Sequence, residues 1–187
     1  MTCVEQAYIA GDLSQFYNTC KLVPSQWNLQ RILWKSNLDS SLPAEEAVIV
    51  TLIYGQISAS CQTECAMEKL AEDFADKYPN VYSLLVKSRY VDDMAESKQS
   101  IDECERLKND ANTVLGKVGV HCKAWTVSGN KPDETVSKDG VTIGVGGFKW
   151  NPIEDKIEVK VPNLYFAKKS RGRLAEELSF SIQIYMK

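Results

Sequence analysis

The sequence predicts an α+β fold, an antiparallel sheet with two helices on one face. Three observations predict it. Segments with strand and helix character follow in the order β, short α, β-β, α, β-hairpin, α, β, β-β, with several neighbouring strands joined as hairpins. Residues Ala47 to Tyr54 are nearly all apolar and mostly β-branched or aromatic. Two further segments carry apolar stripes at helical spacing. At 187 residues, 44% hydrophobic and 25% charged, the chain suits one globular domain, or one domain with an appendage.

Thr2 to Asp12 reads as a strand running into the core, with Gly11-Asp12 at its exit. Asp12 to Tyr17 opens a short helical turn, and Pro24 stops it. Trp27 to Lys35 reads as a strand, with Leu29, Arg31 and Leu33 on one face and Gln30, Ile32 and Trp34 on the other. Asn37 to Pro43 is rich in turn residues. Ala47 to Tyr54 is expected to be the most deeply buried strand, paired with the one before. Gly55 to Ser60 is a loop of small residues. A helix is expected from Ala59 to Tyr78, with Ala66, Leu70, Phe74 and Tyr78 on one stripe, Met67, Ala71 and Ala75 beside it, and Pro79 at its end.

Apolar, β-prone residues from Val81 to Val86 then lead into a hairpin at Tyr90 to Asp93. Ser100-Ile-Asp-Glu103 is a capping box, in which serine and glutamate satisfy free amides at a helix start. That helix turns Cys104, Leu107, Ala111, Val114 and Leu115 inward, and Gly116 and Gly119 end it. Val118 to Trp125 is expected as a strand, Ser128 to Gly140 as a polar loop, and Val141 to Trp150 as a Gly-rich strand. Asn151-Pro152 turns the chain back into the alternating Lys156 to Val161, and Leu178 to Tyr185 offers a closing strand or helix.

Net charge is −3 and the isoelectric point about 5.3, against a self-sufficient nucleic-acid binder with a basic face. Basic residues nevertheless gather late, at Lys156, Lys160, Lys168, Lys169, Arg171 and Arg173, as a backbone-contacting patch or a solvated tail. No run approaches membrane-span length and no secretion signal opens the chain, so an intracellular protein without a membrane partner is expected. The six cysteines read as reduced, mostly buried thiols. Cys61 and Cys65 share a helix face without a second ligand pair, and His121 is the only histidine, so no zinc site is expected.

Chemistry is expected at the carboxylates. Asp92 and Asp93 repel each other, and a metal ion is the usual way to hold such a pair, although an Asp-Asp pair is also a common solvated turn. Carboxylates suit Mg²⁺, which often takes only one or two of them plus substrate phosphates. Asp12 also follows a core strand. In a ferredoxin-like sheet the first strand and the hairpin are neighbours, so the three carboxylates converge for a two-metal phosphoryl or nucleotidyl transfer.

These residues resemble a known family. Tyr90-Val91-Asp92-Asp93 looks like the YxDD box of reverse transcriptases. Asp12-Leu-Ser-Gln-Phe-Tyr17 looks like their first aspartate motif, and Tyr54-Gly55 with Ser58, Ala59 and Ser60 like the loop-helix motif between them. Gly147-Phe148-Lys149-Trp150-Asn151, followed by Asp155, is similar to the primer-grip hairpin. With the tail Lys168-Lys169-Ser-Arg171-Gly172, the likeness is to BEL/Pao-type LTR retrotransposon polymerases and covers roughly residues 8 to 174.

The resemblance implies a ferredoxin-like polymerase palm over residues 1–165, a primer-grip-like hairpin within it, and a basic C-terminal tail over 166–187. It implies an RNA-directed DNA polymerase that adds deoxynucleotides to a primer 3′-hydroxyl. Asp12, Asp92 and Asp93 would hold Mg²⁺, with Mn²⁺ as a substitute and the Leu13 carbonyl helping. Tyr17 would sit under the incoming sugar, and Gly55 would bed the nucleotide. Tyr90, Val91, Phe148 and Trp150 would touch primer or template, and Lys123 would face the leaving phosphates. The residues alone leave other roles open: a core aromatic for Tyr17, hairpin packing for Trp150, a solvated Lys123 and a packed or exposed His121.

Implied partners are template-primer, deoxynucleoside triphosphates and the rest of a retrotransposon polyprotein. The implied location is cytoplasmic, with a virus-like particle as one setting. Ser60 stands where the family usually has proline, which loosens that turn. Fingers upstream and thumb downstream are expected to be missing, exposing apolar palm surface. The alternative is a catalytically inactive retrotransposon-derived fragment serving as an interaction module. A palm-like nucleotide cyclase would explain the carboxylates but not the grip hairpin.

Overall fold

The computed structural model describes residues 6–35, 43–133, 137–158 and 184–185. The first half contains β1 (Ala7–Leu13), a short α1 (Phe16–Thr19), a 3₁₀ helix over Pro24–Gln30, β2 (Arg31–Trp34), β3 (Glu45–Val48), α2 (Ala59–Asp73) and α3 (Pro79–Lys87). The second contains β4 (Arg89–Tyr90), β5 (Asp93–Lys98), α4 (Ile101–Gly116), β6 (Cys122–Val127), β7 (Ile143–Val145), β8 (Phe148–Asn151), β9 (Lys156–Glu158) and β10 (Ile184–Tyr185).

The fold is mixed α+β with antiparallel sheets. The central sheet runs β4-β5-β1-β6, and every neighbouring pair in it is antiparallel. Alternation along β1 divides its side chains between two environments. Ala7, Ile9 and Leu13 join Met94 and Val127 against Leu70 of α2, Leu84 and Leu85 of α3, and Leu107 and Leu115 of α4. Tyr8 and Ala10 face the other way, onto Ile143, Val145 and Trp150 of the β7–β8 hairpin. That hairpin belongs to a second sheet of order β10-β9-β8-β7. The central sheet is thus covered by helices on one side and by a small sheet on the other.

The capping box forms as expected. The Ser100 hydroxyl accepts from the Glu103 amide at 3.3 Å, and the Glu103 carboxylate accepts from the Gln99 amide at 3.1 Å. Cys104, Leu107, Ala111, Val114 and Leu115 are all buried. Gly11 sits where β1 passes under Trp125. A Cβ there would lie 2.6 Å from the Trp125 ring and 2.9 Å from the Cys122 sulfur. Gly11→Ala should therefore destabilise by about 1–3 kcal/mol through overpacking. Urea unfolding reads this, and a loss below about 0.5 kcal/mol, the usual range of a harmless surface change, would sink it.

Several expected elements need correction. Ala47 to Tyr54 is not the buried strand. Its N-terminal part lies in the short, largely exposed β3, which pairs only with β2 in a separate ribbon, and Leu52 is its one deeply buried residue. A run of apolar residues marked burial, but the ribbon's outer surface is apolar instead, with Leu33 80% and Trp34 57% exposed. The strand expected over Trp27 to Lys35 is 3₁₀ up to Gln30, because Pro24 starts a helical turn at its first position.

The helix from Ala59 stops at Asp73, and Pro79 opens α3 rather than merely ending α2. The β-prone residues Val81 to Val86 are therefore helical, with Val81, Leu84 and Leu85 buried at helical spacing. The strand expected from Val118 starts only at Cys122, since Gly119 is left-handed (φ +72°). The Gly-rich strand Val141 to Trp150 folds back on itself at Gly146-Gly147 (φ +54° and +85°) to give β7 and β8. Thr2 to Glu5, Asn37 to Leu42, Val159 to Val161 and the basic tail from Lys168 lie outside the described residues, as does Leu178 to Gln183; Ile184–Tyr185 pairs as a strand with β9.

Candidate active site

Three aspartates meet at one end of the central sheet. Asp12 on β1 and Asp93 on β5 are direct cross-strand partners. Opposed residues of an antiparallel pair point to the same face, here the face covered by the β7–β8 hairpin. Asp92 occupies the two-residue turn of the β4–β5 hairpin with Val91, and its carbonyl accepts from the Leu13 amide at 2.8 Å. That bond ties the turn to the strand end.

The turn is strained. Val91 has φ +58°, a region costly for a β-branched residue. Only its first central residue is left-handed, as in a type II′ turn, where glycine is preferred. Arg89 over-determines it. The side chain, 1% exposed, donates to the Val91 carbonyl at 2.6 Å and the Leu85 carbonyl at 3.1 Å, and pairs with Glu64 of α2 at 2.6 Å. Its guanidinium also lies over the Phe16 ring, 5.3 Å from the centroid. One cation thus binds the turn to α2, α3 and α1. Lysine cannot make this fork. Arg89→Lys should cost about 2 kcal/mol in denaturant unfolding, the scale of losing charge-assisted hydrogen bonds in a buried place. An unchanged midpoint would remove Arg89 from this role.

A β-bulge shapes the other side. The register of β1 against β6 skips from Asp12↔Ala124 to Leu13↔Cys122, leaving Lys123 as the extra residue. Bulges re-aim side chains, and Lys123 acts electrostatically on Asp12. Burial pushes the Asp12 carboxyl up, Lys123 pulls it down, and Asp92 and Asp93 push it up again; the balance is upward. Burial also raises Asp93, opposed by a hydrogen bond from the Gly146 amide at 3.0 Å and reinforced by Asp92. Gly146 brings the hairpin turn directly onto the aspartate edge.

Asp12, Asp93 and Lys123 line a cleft of about 620 Å³ with Lys138, Asp139 and Lys149. Asp139 organises its far wall. It accepts from the Val141 and Thr142 amides and the Thr142 and Ser137 hydroxyls, lies 3.9 Å from Lys149, and is held well below the usual carboxylate range, chiefly by Thr142. No family model matches the chain, and no curated protein matches it.

The remaining sequence-derived residues divide. Tyr17 is buried, its hydroxyl 3.0 Å from the Ser60 hydroxyl and its ring 4.6 Å from that of Tyr54. It clusters with Leu52, Ala59 and Val91, bringing the first aspartate motif, the loop-helix segment and the turn together. Gly55 has φ +90° with open space about its Cα. Leu13 is buried, Tyr90 is 74% exposed and Phe148 46%, so the last two offer surface. Trp150 does not. It is fully buried, edge-on to Tyr8 at 4.8 Å, and donates to Asp155 at 3.1 Å. Its place is packing the hairpin, the second of the two roles open to it. His121 is exposed, and its carbonyl accepts from the Ser14 amide.

The Gly146 amide, Lys138 and Lys149 were not foreseen. Reading Gly146-Gly147 as a turn signal inside a strand-like run would have found the first. Among the described residues no group of three or more His, Cys, Asp or Glu side chains is placed to hold a metal ion. The nearest donor set is the facing pair Asp12 and Asp93 with Asp92 in the adjoining turn. Burial and the charge of Asp92 raise both facing carboxylates, a charge that a divalent cation shared with substrate phosphates would offset without a larger protein set.

Proposed function

We propose that the chain is the ferredoxin-like palm of an RNA-directed DNA polymerase of the BEL/Pao retrotransposon type, adding deoxynucleotides to a primer 3′-hydroxyl. One observation carries this reading: Asp12 and Asp93, far apart in sequence, are cross-strand partners beside the Asp92 turn, at the mouth of a lysine-lined cleft. The strand order β4-β5-β1-β6 with helices on one face supports it too.

Asp12, Asp92 and Asp93 would hold magnesium, which supplies Lewis acidity at the reacting phosphate. The protein's own residues do the rest. Arg89 fixes the turn that presents Asp92. Lys123, Lys138 and Lys149 offset the charge of Asp12, Asp93 and Asp139 in the cleft, so the bound cation would supply the net positive charge that a polyanionic substrate needs. Tyr17, held by Ser60, buttresses Val91 from below. Exposed Tyr90 and Phe148 offer apolar surface to a primer-template duplex.

Primer extension on an RNA template with a DNA primer, in Mg²⁺ and then Mn²⁺, tests the activity. The chain should incorporate deoxynucleotides and Asp92→Asn should not. If neither extends, the polymerase activity is not a property of this chain. The second reading is an inactive interaction module, favoured by the apolar outer surface of the β2–β3 ribbon.

A further inference from the structure

The outer face of α2 carries an adjacent pair of solvent-facing thiols. Cys61 and Cys65 lie one helical turn apart, and both are exposed. The opposite side of the helix is fixed in the fold through Thr63, Met67, Leu70 and Ala71, all buried. The pair is therefore presented on a rigid element. Cys104 is buried, and Cys20 and Cys122 are half-buried, so among the described cysteines these two are the accessible ones.

The two sulfurs feel each other. The Cys65 thiol is raised above its ordinary value, first by charge repulsion from Cys61, then by partial desolvation, by the hydrogen bond it donates to Cys61 and by the charge of Glu68. Residues four apart on a helix hold their Cβ atoms about 5–6 Å apart, against the ~3.8 Å of a disulfide. Oxidising the pair to a disulfide would have to distort α2. A soft cation bound between the sulfurs would not, because the metal spans the gap and cancels the repulsion.

Among the described residues each chain supplies only two such ligands at this place. Structural zinc is four-coordinate and tetrahedral, with Cys₄ a standard set. Among the described residues no third His, Cys, Asp or Glu joins the pair in a metal-holding group. We propose that Cys61 and Cys65 are half of a zinc site, completed by the same two residues of a second copy, so that zinc dimerises the chain through the exposed face of α2. Each thiol gives up its proton on binding, four per zinc, and zinc enters as the dication. Glu68, one turn beyond Cys65, adds negative charge that draws a cation to this face. The site lies on a helix face outside the aspartate cleft and does not depend on the polymerase reading.

The test uses the full chain, reduced with a non-chelating phosphine. Zinc is titrated against a chromophoric chelator while light scattering follows the mass, with cobalt as a spectroscopic stand-in. The expected result is one zinc per two chains, a doubled mass, and the thiolate-to-cobalt and tetrahedral cobalt bands. Cys61→Ser and Cys65→Ser should each weaken binding by at least about 100-fold, since each removes two of four ligands from the dimer. Both side chains are exposed, so melting of the metal-free variants should match the wild type. No zinc binding, one zinc per chain at unchanged mass, or binding that survives in Cys61→Ser would each overturn the proposal.

Discussion

Asp12→Asn is expected to lower primer extension by about 10³-fold or more and, at the same time, to raise the melting temperature at neutral pH. The first effect follows if the Asp12 carboxylate helps stabilise charge developing in the transition state, where one lost group costs this much. The second follows from electrostatics alone. Burial, and then Asp92 and Asp93, push the Asp12 carboxyl up despite the pull of Lys123. An unfolded aspartate titrates near about 3.9. A group raised in the folded state binds its proton more tightly there. Its contribution is therefore favourable in acid and is lost as pH rises from the unfolded value through the raised folded one. At neutral pH the loss is complete, and asparagine, which stays neutral, escapes it.

The melting difference between variant and wild type should thus open across that acid window and stay level above it. Mg²⁺ should narrow it by stabilising the wild type, because a ligand bound only by the folded state raises stability. Thermal melts across pH, with and without Mg²⁺, read both. If Asp12→Asn melts below the wild type at neutral pH, Asp12 is a structural acceptor and not a strained one.

The sequence carried the α+β class and the meeting of the aspartates, but not the placement of several elements around them. That Asp12 and the Asp92-Asp93 pair lie together was legible from residue type, although Asp12 sits within β1 and the pair follows the two-residue edge strand β4 rather than a core strand. The capping box was legible because it is local, with both hydrogen bonds closing within four residues. What failed were judgements on apolar runs. Ala47 to Tyr54 and Val81 to Val86 look alike in composition, yet one enters an exposed ribbon and the other a buried helix. Short apolar runs do not distinguish these by periodicity, and Pro79 at a helix start was the missed arbiter.

Long-range geometry was beyond the sequence for a different reason. Nothing local to Lys123 announces that β1 and β6 slip by one residue beside it. Nothing local to Arg89 announces that its fork ends on Val91, Leu85 and Glu64. Both depend on which strands and helices become neighbours, and side-chain contacts of that kind are set only once the layers have packed.

Trp150→Ala is expected to be the most destabilising of these substitutions. Truncating a fully buried tryptophan costs about 3–5 kcal/mol, and here the side chain does two jobs. Its ring packs edge-on to Tyr8 at 4.8 Å. Its indole N–H reaches Asp155, whose same oxygen also accepts from Ser128 at 3.2 Å, and Ser128 in turn accepts from the Tyr8 amide at 2.8 Å. The hairpin is pinned to the first strand through this chain. Trp150→Phe separates the jobs: it keeps a ring against Tyr8 and loses the N–H, at a cost of about 1 kcal/mol.

The damage should be localised. Trp150 packs with Ala10, Ile143 and Val145 in a cluster on the face away from the helices, whereas α3 and α4 belong to the other core. Hydrogen exchange in Trp150→Ala should speed first at the β7–β8 amides, including Gly146, while α4 stays protected, because weakly anchored units open before the rest. Since the Gly146 amide holds the Asp93 carboxylate, the loosened hairpin also releases that carboxylate. Cleft chemistry should then suffer in Trp150→Ala although Trp150 presents no surface to a substrate. Uniform acceleration across α4 and the hairpin alike would show that the two cores unfold as one, and would leave Trp150 as a stability residue with no separate hold on Asp93.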